Sequence, residues 1–180
     1  NYPTSREYID AAIGLSKSYG ALDNYEKQFD ILYGLIKENL VPSRVPEIYN
    51  IIAGFYEESA GISEQLTGAG TTDYQTAIEY YKKSIEYPNS NDMNAKGFAQ
   101  YRIGRLHEDL ENYQNAFEAY KTVATQYEGT EWAVRADQSI DELSATLQRR
   151  KEYQEKGLLP DTTTKASTAP VSSEPEMPIE

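Results

Sequence analysis

His107 is the only histidine in the sequence. Any imidazole base, catalytic triad or histidine metal site would have to be built on it, and no Gly-x-Ser-x-Gly elbow accompanies it. Cysteine is absent, which excludes disulfides, thiolate metal sites and cysteine nucleophiles. Two pairs of adjacent carboxylates occur, Glu57-Glu58 and Glu108-Asp109. Neighbours on a helix point in different directions, so neither pair makes an acid/base couple, and both read as solvated helix ends. Gly68-Ala69-Gly70-Thr71-Thr72 has the glycines of a phosphate loop but lacks the preceding strand, the lysine and the third glycine. It reads as a helix connector. No spaced Asp and Asn surround a central Gly as calcium requires. The short basic runs Lys82-Lys83 and Arg149-Arg150-Lys151 read as wet helix faces. These residues predict no catalytic, cofactor-binding or metal site, and the chain reads as a non-enzyme.

The 17 Lys and Arg stand against 29 Asp and Glu, a net charge of −12. Such a surface repels phosphate backbones, so nucleic acid is not an expected partner. The longest apolar run, Ile51 to Tyr56, falls far short of the roughly 20 residues of a membrane span, and no insertion by this segment is expected. The 180 residues suit one domain or several units of a repeat array. Sixteen tyrosines against four phenylalanines predict many half-buried positions, where a ring packs and its hydroxyl stays in water.

Helical signals are strong, and no sustained alternation marks a strand. Asp23-Asn24-Tyr25-Glu26 is a capping-box signature with Asp23 as the cap. Tyr25, Phe29, Leu32, Leu35 and Ile36 then give the helix one apolar face. Thr72 with Gln75 opens a second such helix, striped by Tyr74, Ala77, Ile78, Tyr81 and Ile85. Asn112 opens a third, striped by Tyr113, Ala116, Phe117, Tyr120 and Val123. Residues 74–82 and 113–121 are identical at six of nine positions, 39 residues apart, the period of a helical array. Another helix precedes the first and third of these at one spacing, marked by Leu15-Ser16 with Tyr19 and by Ile103-Gly104 with His107. The small Ser16 and Gly104 mark close helix approach.

This order of apolar, small and aromatic residues, a turn, then Ala and a large aromatic resembles the tetratricopeptide repeat. Ala77 and Ala116 match the small residue of its second helix, and Tyr81 and Tyr120 its aromatic. The likeness covers Ile9 to about Tyr127. In the first unit Gln28 replaces the Ala and Leu32 the aromatic. The second carries an insert near residues 59–71, with Gly61, Gly68 and Gly70, expected as a loop or a short helical extension. His107 falls at an aromatic position of the repeat, so its expected role is packing. The unit boundaries Leu40-Val41-Pro42-Ser43, Tyr87-Pro88-Asn89-Ser90 and Tyr127-Glu128-Gly129-Thr130 place Pro to stop one helix and Ser or Thr to cap the next. They are similar to those of bacterial envelope repeat proteins of the BamD and CpoB kind. Tyr2-Pro3-Thr4-Ser5 reads the same way, so residues 1–5 are expected to end a preceding repeat of a longer array. Tyr8, Ile9, Ala12 and Ile13 would then present an uncovered face, with self-association expected through it.

The expected fold is all-α: an αα-solenoid of about three helix pairs over residues 6–156, closed by a C-terminal capping helix. Residues 157–180, rich in Pro, Thr and Ser, bury too little to offset their ordering entropy and are expected to be a disordered tail. The resemblance implies that the first helix of each pair lines a concave groove. Its candidate lining is Asp10, Ile13 and Lys17, then Ile48, Ile51 and Phe55, then Phe98, Tyr101 and Arg105. The implied function is a non-enzymatic scaffold binding a peptide or protein segment, without cofactor. The implied place is the periplasm or the inner side of the outer membrane, with the cytoplasm as the alternative. A second reading is an architectural subunit of a larger assembly, using its convex faces and the C-terminal tail.

Overall fold

The computed structural model describes residues 6–68 and 70–156. The terminal residues 1–5 and the tail at 157–180 lie outside the described residues. Among the described residues seven α-helices follow one another: α1 (Arg6–Ala21), α2 (Tyr25–Glu38), α3 (Val45–Thr67), α4 (Gly70–Glu86), α5 (Met93–Asp109), α6 (Tyr113–Gln126) and α7 (Glu131–Glu155). A 3-10 turn at Pro42–Arg44 leads into α3. The fold is all-α, with no strand among the described residues, and no helix there is long and apolar enough to cross a membrane. The chain divides into two units, one ending at Leu143 and the next starting at Ser144. The first holds α1 to α6 and the start of α7. In the second, the described residues complete α7, with Arg149, Lys151 and Tyr153 exposed.

Within the first unit α1 packs on α2, α3 on α4 and α5 on α6, and the pairs join through α2–α3, α4–α5 and α3–α5. The first and third pairs close by the same turn. Asn24 N–H donates to Tyr19 O at 2.9 Å, and Asn112 N–H to His107 O at 2.7 Å. The residue before each takes a left-handed conformation, Asp23 at φ 57° and Glu111 at φ 56°. This moves the first cap from the expected Asp23 to Asn24, whose side chain accepts from Lys27 N–H. A left-handed residue sits just outside a helix, so Asp23 cannot itself start one.

Small residues set the distance within the first and third pairs. A Cβ on Gly104 would lie 2.5 Å from the Tyr120 ring, and one on Gly97 3.2 Å from Tyr127. Gly104 facing Tyr120 and Gly97 facing Tyr127 make α5 and α6 antiparallel. In the first pair the sizes are redistributed. A Cβ on Gly20 would lie 2.7 Å from the Gln28 side chain, so the larger Gln28 is accepted because residue 20 is glycine. In the third pair the matching positions are Glu108 and Ala116. Leu32, smaller than a tyrosine, goes with Ser16 in place of glycine, and both are fully buried.

Of the two forms expected for the insert near residues 59–71, a loop or a short helical extension, the described residues take the helical one. α3 continues through Thr67, and α4 is already helical at Gly70. Ala60 is fully buried, and Ser63 Oγ donates to the Asp73 carboxylate. These contacts along a lengthened hairpin offset roughly 1 kcal/mol of helix cost for an interior glycine such as Gly61. Gly68, at φ 70°, ends α3 in the left-handed conformation that only glycine takes freely.

Two core clusters result. One joins Ile9, Ile13, Leu32, Leu35, Ile48 and Ile52, and the other Ala53, Ala77, Ile78, Tyr81, Ala99, Ile103, Leu106 and Ala119. Tyr56 and Tyr80 pack against both, stacked with ring centroids 5.5 Å apart. Ile9 and Ile13 are 2% and 4% exposed, which corrects the expectation that they lie on an open outer face. One turn apart, they form the stripe toward α2 and α3, while Ala11 and Leu15 lie on an adjoining, exposed stripe. Tyrosine does fill half-buried positions, among them Tyr49, Tyr56, Tyr74, Tyr80 and Tyr101. Burial raises the phenol pKa of Tyr49 and Tyr56.

Candidate functional site

The odd-numbered helices of the first unit share a side, and two clefts open on it. The first, about 470 Å³, is lined by Lys17 of α1, by Glu47, Asn50 and Ile51 of α3, by Asn94, Ala95 and Phe98 of α5 with its cap Asp92, and by Trp132 of α7. The second, about 480 Å³, shares Lys17 and Ile51 and continues along Gly54, Phe55, Glu58 and Ile62 toward Tyr25 and Gln28. Aromatic packing fixes the walls. Phe98 meets Trp132 edge-on at 4.9 Å between centroids, and Tyr101 packs behind Trp132 at 5.7 Å. Phe55 is held between Tyr25 at 4.8 Å and Phe29 at 4.9 Å.

Polar groups hold the helices in register. Trp132 Nε1–H donates to Asn94 Oδ1 at 2.9 Å. Asn50 Nδ2 donates to Ala95 O at 2.9 Å, joining α3 to α5. A carbonyl only accepts, so this bond orients the amide with Oδ1 as its remaining group, buried without a protein partner. The cleft thus combines apolar rings, a lysine, carboxylates and amides. This chemistry suits an extended polypeptide, which offers side chains and backbone amides together.

Of the candidate groove residues, Lys17, Ile51, Phe55 and Phe98 line these clefts. Ile13 and Ile48 do not. They are 4% and 1% exposed inside the first core cluster, one helical step from the open stripe. Asp10 is an edge group, paired with Arg44 at 2.6 Å, and Arg44 also meets Glu47 at 2.8 Å. Tyr101 supports Trp132 from behind. Arg105 bonds Glu108 at 3.2 Å and lines neither cleft.

The carboxylate pairs divide differently from their reading as solvated ends. Glu58 and Asp109 are exposed, but Glu57 and Glu108 are part-buried. Each accepts a tyrosine hydroxyl from the partner helix of its own pair, Tyr81 Oη to Glu57 at 2.9 Å and Tyr120 Oη to Glu108. Each also meets an arginine, Arg102 for Glu57 and Arg105 for Glu108. Burial first, then the Glu108 bond, raises the pKa of Tyr120. The Tyr–Glu bond is a structural device repeated in two pairs, whereas the arginine comes from the next pair for Glu57 and from the same helix for Glu108.

His107 occupies the position that Tyr19 holds in the first pair, and its Nδ1 is buried without a partner. Burial, then nearby Lys82, lowers its pKa below 6.5. The unfolded chain therefore binds this proton more tightly. Stability is full above about pH 6.5 and falls as pH drops through the lowered folded value. His107→Phe is expected to remove that part of the acid sensitivity, read from urea midpoints at neutral pH and near pH 5. An unchanged difference between the two midpoints would contradict it.

Sequence reasoning missed Glu47, Asn50, Asn94 and Trp132. Helical spacing from the residues it did find was the usable signal: Glu47 is one turn before Ile51, and Asn94 one turn before Phe98. Trp132 follows the third pair and lies outside the matched helix stripes. No protein-family model, curated protein or solved structure matches the chain.

Proposed function

We propose that the chain is a tetratricopeptide-type αα-solenoid. It acts as a non-enzymatic scaffold of a bacterial cell envelope, holding a peptide or protein segment along the odd-numbered helices. The observation that carries this reading is the convergence of Lys17, Ile51 and Phe98, from three separate helices, on one cleft. The repeated hairpin turn and the repeated Tyr–Glu bond support the repeat assignment. The Tyr-Pro-x-Ser boundary at Tyr87-Pro88-Asn89-Ser90 supports the envelope assignment. A random-peptide display panned against the full chain tests the binding role. Enriched peptides are expected to share an aromatic or branched aliphatic anchor, and to lose binding to Phe98→Asp and Ile51→Asp while both variants keep their helical circular dichroism. No enrichment, or full retention by both folded variants, would overturn it.

A further inference from the structure

The outer side of the α1–α2 pair carries a cleft of about 430 Å³, whose lining includes Ala11, Leu15, Asp30, Ile31 and Glu38. The chain itself contains the same surface in its covered state. Ala99, Ile103 and Ala119 stand 88 positions after Ala11, Leu15 and Ile31, the offset that aligns the two matching hairpin turns. In the third pair these residues are buried, at 0%, 5% and 6% exposure. They share one cluster with Ala77, Ile78 and Tyr81 of α4. In the first pair Ala11 is exposed and Leu15 is 50% exposed.

We infer that the outer α1–α2 face is a docking surface for a helical hairpin with an Ala-Ile-x-x-Tyr stripe like that of α4. The third pair shows which side-chain types seat such a stripe. A second copy of the chain fits poorly. Two of these faces would bring Asp30 and Glu38 of each against the other, on chains already carrying a net charge of −12. The matching stripe of α6 has none free to offer, because Ala116 and Tyr120 are themselves fully buried. The inference rests on the repeat reading, and not on the peptide cleft.

Because the chain has no cysteine, a single introduced thiol reports on the face directly. The probe is a duplicate of residues 45–92 fused ahead of Ser5 in the otherwise complete chain, so that Ser5 takes the place of Met93 in the natural α4–α5 junction. Leu15→Cys is expected to react with a maleimide at least tenfold more slowly with the added hairpin than without it. Leu66→Cys of the original α3, 78% exposed, is expected to keep its rate. An unchanged Leu15→Cys rate overturns the inference, whether or not the added segment becomes helical. Protection without the fusion that grows with protein concentration assigns the face to a second copy, and also overturns it. Ile103→Cys separates the two levels. If it reacts as fast as Leu15→Cys in the unfused chain, the repeat equivalence itself is wrong. If it is protected while the fused Leu15→Cys is not, only the docking assignment fails.

Discussion

Gly104→Leu is expected to destabilise the folded chain by about 3 kcal/mol, the upper part of the range for overpacking a filled site. A single Cβ at residue 104 already meets the Tyr120 ring at 2.5 Å, and that ring is fully buried. It has no free space to turn into, and its hydroxyl is held by Glu108. The first pair suggests the compensating change, since it carries Ser16 and Leu32 at these two positions. Gly104→Ser combined with Tyr120→Leu is therefore expected to cost less than the sum of the two single changes, by about 1 kcal/mol or more of coupling. Urea unfolding of the four chains measures it. Strict additivity would mean that the two pairs do not share a packing register.

Glu57 carries the second large effect. It accepts from Tyr81 of α4 and from Arg102 of α5, the latter through both Nε, at 3.1 Å, and Nη2. One carboxylate thereby ties two consecutive helix pairs together. Its side chain is 14% exposed and that of Arg102 33%. Solvent screening at Arg102 moderates the 3–5 kcal/mol typical of breaking a fully buried pair. Glu57→Leu is expected to cost roughly 2 kcal/mol, near the value of hydrogen bonds to a charged group. Adding Arg102→Met is expected to recover part of that loss, because no unpaired guanidinium then remains. A double variant as unstable as the sum would show that Tyr81 depends on Glu57 and the arginine does not.

The repeated core was legible because it depends on residue size at fixed spacing. Gly104, Ala77, Ala116, Tyr81 and Tyr120 all lie where the pattern put them, and all are buried. The first pair broke the pattern in two places, and Gly20 explains one of them only once its neighbour across the hairpin is seen. Glu57 and Glu108 look like solvated residues in sequence, since the tyrosines that bond them lie on other helices. The cleft-facing stripe of α3 was legible to within one helical step. Ile51 and Phe55 face the cleft, but Ile48 turns into the core with Ile52. An apolar residue is equally at home on either stripe, so its type alone does not choose between them. Trp132 stayed out of reach for a different reason, because its place depends on where α7 begins relative to α5.

Trp132 makes the central claim directly measurable, because it is the only tryptophan and it lines the cleft. A peptide selected against the full chain, itself free of tryptophan, is titrated while Trp132 emission is followed and binding is measured in parallel by calorimetry. The expected result is a saturable emission change with the calorimetric midpoint and a one-to-one endpoint, abolished by Phe98→Asp. Calorimetric binding that leaves Trp132 emission unmoved, and that survives Phe98→Asp, would contradict the assignment of the groove.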